Sequence, residues 1–361
     1  MSVDTYRRLA GVLDTLPNGF PSTESGVELK ILEKIFNPQE ATLFCDLRLA
    51  YETAEQIAQR TGRPLEGLEE RLRTMADKGQ IYEVRMGASS LFKMVPFIVG
   101  LWEGQRDRID KDLVAMFEDY FPALEEQLLS IQPQIMQTLA IEETIPFAQE
   151  ALPYERVSTI LEFGQSFSVN TCVCKKERGM LGNPCEKPRE VCLFVVPIPG
   201  YFEQFPAARA ISRDEAYALL NETEEAGLVH MTSNVQAGQY FICNCCGCCC
   251  GILRAIREDG LPARLVINSH YYAETDPERC NGCGICTDER CQVDAIVEEE
   301  GIYRVVQERC IGCGLCASAC PEQAVRLVRK DDADLMPPPS TEEDWFEQRG
   351  RARGVDFSAY K

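Results

Sequence analysis

No stretch of the chain approaches the eighteen or so consecutive apolar residues that a membrane-spanning helix needs. The N-terminus carries Asp4, Arg7 and Arg8 where a secretory leader would carry an apolar run, so no export signal is read there. Also missing are a Gly-x-Gly-x-x-Gly turn with a following acidic residue, a P-loop, and any recognisable pairing of a nucleophile with a base. Motif-defined nucleotide binding and hydrolysis therefore find no support, although flavin or nucleotide sites can also be built without motifs. Positive charge is short as well: 37 Lys and Arg stand against 57 Asp and Glu, a formal net charge of −20. Such a polyanion is a poor general ligand for nucleic-acid phosphates.

What the chain has in excess is cysteine. Of its nineteen, eighteen fall within residues 172–192, 243–250, 280–291 and 310–320. A secreted disulfide scaffold is short and spreads its cysteines. This clustering predicts instead metal-bound thiolates in a reducing compartment, and hence a cytoplasmic protein. At 361 residues, 45% hydrophobic and 26% charged, the chain has core enough for two or three globular domains.

The stretch from Cys280 to Pro321 makes one statement twice. Cys280-Asn-Gly-Cys283-Gly-Ile-Cys286 with Cys291 is followed by Cys310-Ile-Gly-Cys313-Gly-Leu-Cys316 with Cys320-Pro321. Three thiolates two residues apart wrap one face of a four-iron cluster, and a distant fourth closes it. Zinc sites take paired Cys-x-x-Cys arms rather than triplets, which argues against zinc here. Roughly residues 270–330 resemble the dicluster ferredoxin domain. In that fold the fourth cysteine of each run ligates the other cluster. The resemblance therefore implies one [4Fe–4S] centre on Cys280, Cys283, Cys286 and Cys320, and a second on Cys310, Cys313, Cys316 and Cys291. Glycines 282, 284, 312 and 314 are expected to turn the backbone tightly, and Ile285 and Leu315 to shield the clusters. The first run departs from the pattern. It has four residues between Cys286 and Cys291, where a bulge is expected, and Gln292 where the second run has Pro321.

Upstream, Cys172, Cys174, Cys185 and Cys192 supply enough thiols for one further centre, with Lys175, Lys176 and Arg178 nearby to offset thiolate charge. Zinc is the alternative to iron–sulfur for 172–192, since Cys-x-Cys spacing is specific to neither. His230, one of two histidines, reads as structural or as a ligand or proton donor near a cluster. Then Cys243, Cys245, Cys246, Cys248, Cys249 and Cys250 occupy six of eight positions, between an apolar strand-like run and a helix-like Ile252–Arg257. Six free thiols together have no plain structural role. They predict a fourth cluster or an unusual one, so one or two iron–sulfur clusters are expected beyond the C-terminal pair.

In the first half, residues 1–26 read as an arm. The pattern from Val27 reads as helices, with a Thr53–Gln56 capping box, a helix opened by Pro64, and a hairpin around Gly87–Ser90. That order resembles a winged helix. Its would-be recognition helix mixes Glu66, Glu69, Glu70 and Asp77 with Arg71, Arg73 and Lys78, favouring protein docking over DNA. Residues 97–150 read as a helical spacer broken at Pro122 and Pro133, with Trp102, Phe117, Tyr120 and Phe121 as core or a dimer face. Cys45 reads as a buried core residue. A Ser212–Glu215 capping box opens a helix in a cysteine-rich α/β middle domain, 151–268. The ferredoxin domain spans 269–330, and an acidic, proline-containing tail 331–361, with Trp345 and Phe346 as anchors on a partner or on the chain itself.

The fold class is multidomain α+β, with a winged-helix-like domain over 27–96. The whole resembles multidomain iron–sulfur proteins of anaerobic metabolism, which join a winged-helix-like segment, a Cys-Asn-Cys-Cys-Gly-Cys-Cys-Cys motif and a terminal dicluster domain. The resemblance implies electron transfer between redox enzymes. A disulfide-reductase-like enzyme acting at 243–250 and an iron–sulfur DNA-binding regulator are the alternatives. Expected partners are redox proteins or a larger oxidoreductase complex, with a homodimer through the N-terminal half left open and nucleic acid disfavoured.

Overall fold

Apolar periodicity builds the first half of the chain from helices. The computed structural model describes residues 2–87, 89–145, 151–205, 208–287 and 290–361. These divide into one unit of Met1–Gln132 with Gly179–Asn183 and Phe346–Lys361, and a second of Pro133–Arg178 with Pro184–Trp345. No helix among the described residues is long and apolar enough to cross a membrane.

The first unit opens with α1 (Ser2–Thr15), whose Tyr6, Leu9 and Leu13 are buried, so the expected arm contributes to a core. Next come α2 (Val27–Ile35), α3 (Pro38–Phe44), α4 (Ala54–Thr61) and α5 (Leu68–Asp77), then the hairpin β1 (Tyr82–Met86) and β2 (Ser89–Lys93). Thr53 caps α4 reciprocally with Gln56, as read from the sequence, and Asn37 caps α3 with Glu40 in the same way. Pro64 does not open α5. Gly67 at φ +67° ends the turn, and the helix starts at Leu68. The order of helices and hairpin agrees with the sequence reading, with Ala88 of the hairpin turn outside the described residues. Cys45 is a buried core residue.

After the short α6 (Trp102–Gly104) comes α7 (Lys111–Leu129), which runs unbroken through Pro122. Buried Leu113, Phe117, Tyr120, Leu124 and Leu128 keep one face seated, and that packing outweighs the missing amide hydrogen bond. Trp102 stacks on Phe117 at 3.8 Å and Phe97 packs on Phe20 at 4.6 Å, so the aromatic residues form core.

In the second unit, the region expected to end a helical spacer instead supplies a strand, β3 (Met136–Thr138). It lies inside a seven-stranded sheet. Gln137 concealed it from a hydrophobicity reading, yet the side chain is buried and donates to the carbonyls of Ser233 and Val235. Positions 146–150, the rest of that expected spacer, lie outside the described residues.

The chain continues through α8 (Val157–Phe163), β4 (Ser166–Thr171), α9 (Val173–Met180), β5 (Glu190–Val196), β6 (Arg209–Ile211) and α10 (Arg213–Glu225). Ser212 and Glu215 form the expected cap of α10. Then follow β7 (Val229–Ser233), β8 (Phe241–Cys245), α11 (Gly251–Arg257), α12 (Ala263–Val266) and β9 (Ile267–Asn268). The sheet has the order β6-β4-β5-β8-β7-β3-β9, and all its pairings are antiparallel except β3 with β9. The last third pairs β10 (Tyr271–Thr275) with β13 (Val325–Arg329), and β11 (Ile296–Glu299) with β12 (Ile302–Val305), with the single-turn α13 (Leu315–Ser318) before β13.

The expected extended tail instead carries α14 (Glu342–Arg353), started by Thr341 accepting the Asp344 amide at 3.1 Å. Trp345 is buried and its indole donates to the Gln134 carbonyl at 2.9 Å. Arg349 is fully buried and donates to the carbonyls of Leu128 and Ile131. These anchors fold a segment whose composition alone reads as solvated.

Candidate metal centres

None of the nineteen cysteines is in a disulfide. Eight converge in the last third as two sets. Cys280, Cys283, Cys286 and Cys320 line one depression with Tyr303 and Val325. Burial pushes the Cys286 thiol up to about 11, and the charges of Cys283, Cys320 and Cys280 push the same way. The second set is Cys310, Cys313, Cys316 and Cys291. Burial pushes Cys313 up to about 12 and Cys291 up to about 11, with repulsion from Cys310 in both, and Cys316 is raised by burial and by all three partners. Each run thus sends its fourth cysteine to the other run's triplet.

The two turns repeat in detail. Ala295 donates its amide to Cys291 Sγ at 3.1 Å, and Ala324 to Cys320 Sγ at 3.2 Å. Asp294 and Gln323, each one residue earlier, share a left-handed φ of 48° and 49°. The fourth-cysteine turns therefore match although Pro321 has become Gln292. Residues 288 and 289, where the expected bulge falls, lie outside the described residues. Gly312, at φ +61°, brings its Cα so close to the Tyr271 carbonyl that a Cβ would lie 2.1 Å from it. Leu315 is buried as expected, whereas Ile285 is 47% exposed and shields little.

The other ten cysteines divide differently from their order along the chain. Strands β4, β5 and β8 are neighbours, so Cys172 just past β4, Cys192 in β5 and Cys243 and Cys245 in β8 gather at one end of the sheet. Cys243 and Cys245 share a face because side chains alternate along a strand. Cys172 is hydrogen-bonded to Cys174 and Cys192, Cys192 to Cys243, Cys243 to Cys245, and Cys245 to Cys250. Cys250 in turn acts on Cys174 through its charge, which closes a ring of six. Hydrogen bonds from Cys174 and Cys192 hold the Cys172 thiol well below the usual range. The other five are held well above it, by the hydrogen bonds they give and by burial.

Cys185 joins another group. It stands with Cys246, Cys248 and Cys249, all four sulfurs lying within 4.8 Å of one another, and not in the ring of Cys172, Cys174 and Cys192 with which its sequence position grouped it. Of the three nearby cations, Lys175 is fully buried, donates to the Pro188 carbonyl at 2.6 Å, and favours ionised Cys172 and Cys246.

Sequence reasoning missed Gln292. Its Oε1 accepts the Gly247 amide at 3.0 Å, and its carbonyl lies where a Cβ on Gly247 would come within 1.9 Å. The turn of six cysteines is thereby fastened beside Cys291. Proline at this position has no side-chain acceptor, so the Gln292-for-proline departure was the available signal. His230 is structural: its Nδ1 lies 2.6 Å from Asn244 Oδ1, burial lowers its proton affinity, and Asn244 is held by Val191 and Thr223.

Buried thiols that repel one another's ionisation cannot all become thiolates unless a metal centre supplies the compensating charge. The eight C-terminal donors and the ring of six fit iron–sulfur groups on that ground: all are thiols, all but Cys283 are buried or half-buried, and backbone amides are aimed at three of the sulfurs. Residues 303–326 match the family described as 4Fe-4S binding domain. No curated protein and no solved structure matches the chain. The matched domain and the cysteine clusters give the chain the capacity for iron–sulfur electron transfer.

Proposed function

We propose that this chain is an electron-transfer protein, or a subunit of a larger oxidoreductase assembly, that carries electrons between redox enzymes of anaerobic metabolism. The observation that carries this reading is the crossing of Cys291 and Cys320 between the two triplets, which builds two adjoining four-thiol sets. When bound there, [4Fe–4S] clusters supply one-electron transfer. The protein's part is to hold, insulate and tune them.

The thiolates fix position. Leu315 and Val325 keep water out. The amides of Ala273, Ala295 and Ala324 donate to Cys310, Cys291 and Cys320, which favours the more negative reduced state. Exposed Cys283 and Ile285 mark the set on Cys280, Cys283, Cys286 and Cys320 as the side a partner approaches. Exposed Glu278, Glu298, Glu299 and Glu322 suit a partner with a basic face. The ring of six supports an additional iron–sulfur centre, and the Gln292–Gly247 contact supports passage between it and the set on Cys291.

In the N-terminal unit, the acidic surface around Glu55, Glu69, Glu70 and Asp77 supports a protein-docking, winged-helix-like module over DNA binding. Electron paramagnetic resonance of the anaerobically reduced protein tests the reading. Two magnetically interacting cubane signals are expected, and a spectrum with one isolated cubane or none would overturn it.

A further inference from the structure

We infer that Cys185, Cys246, Cys248 and Cys249 hold a single tetrahedral metal ion, zinc or iron, rather than a polynuclear cluster. Their sulfurs are 3.3 Å apart for Cys246–Cys248, 3.6 Å for Cys185–Cys248, and 3.7 Å for both Cys185–Cys246 and Cys248–Cys249. The remaining pairs fall within 4.8 Å. Four thiolates on one ion at about 2.3 Å each sit about 3.8 Å from one another, because the ligands span a tetrahedron. A cubane binds each thiolate to a different iron and spreads them much farther. A disulfide would need about 2.05 Å, far below the shortest separation.

The elements explain the convergence. Cys246, Cys248 and Cys249 stand on the turn between β8 and α11, which Gln292 fastens at Gly247, and Cys185 is delivered by the loop between α9 and β5. Val191 and Leu228 pack against Cys185, Cys246 and Cys249, leaving Cys248 at the surface. Tetrahedral all-sulfur coordination selects zinc or iron.

The assignment uses none of the eight C-terminal thiols, so its failure would leave the electron-transfer reading intact. The test is zinc, iron and acid-labile sulfide per chain, measured on the anaerobically purified full-length protein and on Cys185→Ser, Cys249→Ser and Cys45→Ser. Total metal should exceed sulfide by one atom per chain in the wild type and in Cys45→Ser. The excess should vanish in the other two variants, with sulfide unchanged. Spectroscopy on the wild type decides the matter even if those variants fail to fold: for zinc, absorption at the zinc edge should show four sulfurs at about 2.3 Å and no metal neighbour, and for iron, Mössbauer spectra should show one high-spin tetrasulfur site beside the clusters. A wild type without excess metal, a metal neighbour at the zinc edge, Mössbauer spectra of an iron-only protein without a mononuclear site, or a Cys185→Ser protein that loses iron and sulfide in equal numbers overturns the inference.

Discussion

Glu155 is a heavily committed carboxylate of the second unit. It is 3% exposed, hydrogen-bonded to His270 Nδ1, within 2.9 Å of Arg329 and 3.3 Å from the Tyr271 hydroxyl. Burial alone would raise its pKa, but hydrogen bonds from His270 and Arg329 prevail and hold it at about 2 against an ordinary 4.5. The folded pKa is depressed, so the stabilisation is fully present above about pH 4.5 and is lost as pH falls toward 2. Its size is of the order of 3 kcal/mol. Glu155→Gln should therefore destabilise the protein by that order at pH 7, read by denaturant unfolding, and the gap from wild type should narrow as the pH is lowered from 4.5. A gap that stayed constant with pH would remove the charge from the explanation. This pairing was invisible in the sequence, because Glu155 and Arg329 are 174 residues apart and only the fold brings them together.

At the scale of elements, local signals were legible where local physics decides. The Thr53 and Ser212 caps, the β1–β2 hairpin and the strand-to-helix passage around Cys243–Cys250 follow from residues adjacent in sequence. What was not legible was set by tertiary packing. β3 is an interior strand because the sheet accepts the buried Gln137 amide, and α14 is a helix because Trp345 and Arg349 find buried carbonyls. Pro122 lies exposed in mid-helix, where it removes a backbone donor without filling a core site. Pro122→Ala should therefore stabilise α7, by about 1–3 kcal/mol, visible as a higher thermal midpoint. A lower midpoint would mean that the proline has a role in packing or in the denatured state that the helix does not show.

Across the whole molecule, the cysteine pattern was readable to different depths. The crossed sets of 280–291 and 310–320 were implied by the resemblance of the repeated triplets to the dicluster ferredoxin domain. The four-and-six division of 172–250 could not, because it depends on which strands are neighbours: β5 beside β8 brings Cys192 to Cys243, while the loop before β5 carries Cys185 elsewhere. The net charge of −20, with exposed Glu322 lining the same depression as Cys283, belongs to the same scale. Electron transfer to a cationic acceptor protein should slow by roughly tenfold or more between low salt and about 0.5 M salt, as screening removes steering. A second-order rate indifferent to ionic strength would place the contact on another surface.

The central claim, that two adjoining four-thiol sets each hold a four-iron cluster, is tested most directly by iron and acid-labile sulfide per chain in anaerobically purified protein. The account predicts at least about eight of each, with about four of each lost in Cys320→Ser or Cys291→Ser. Fewer than about eight in the intact wild-type protein would contradict it.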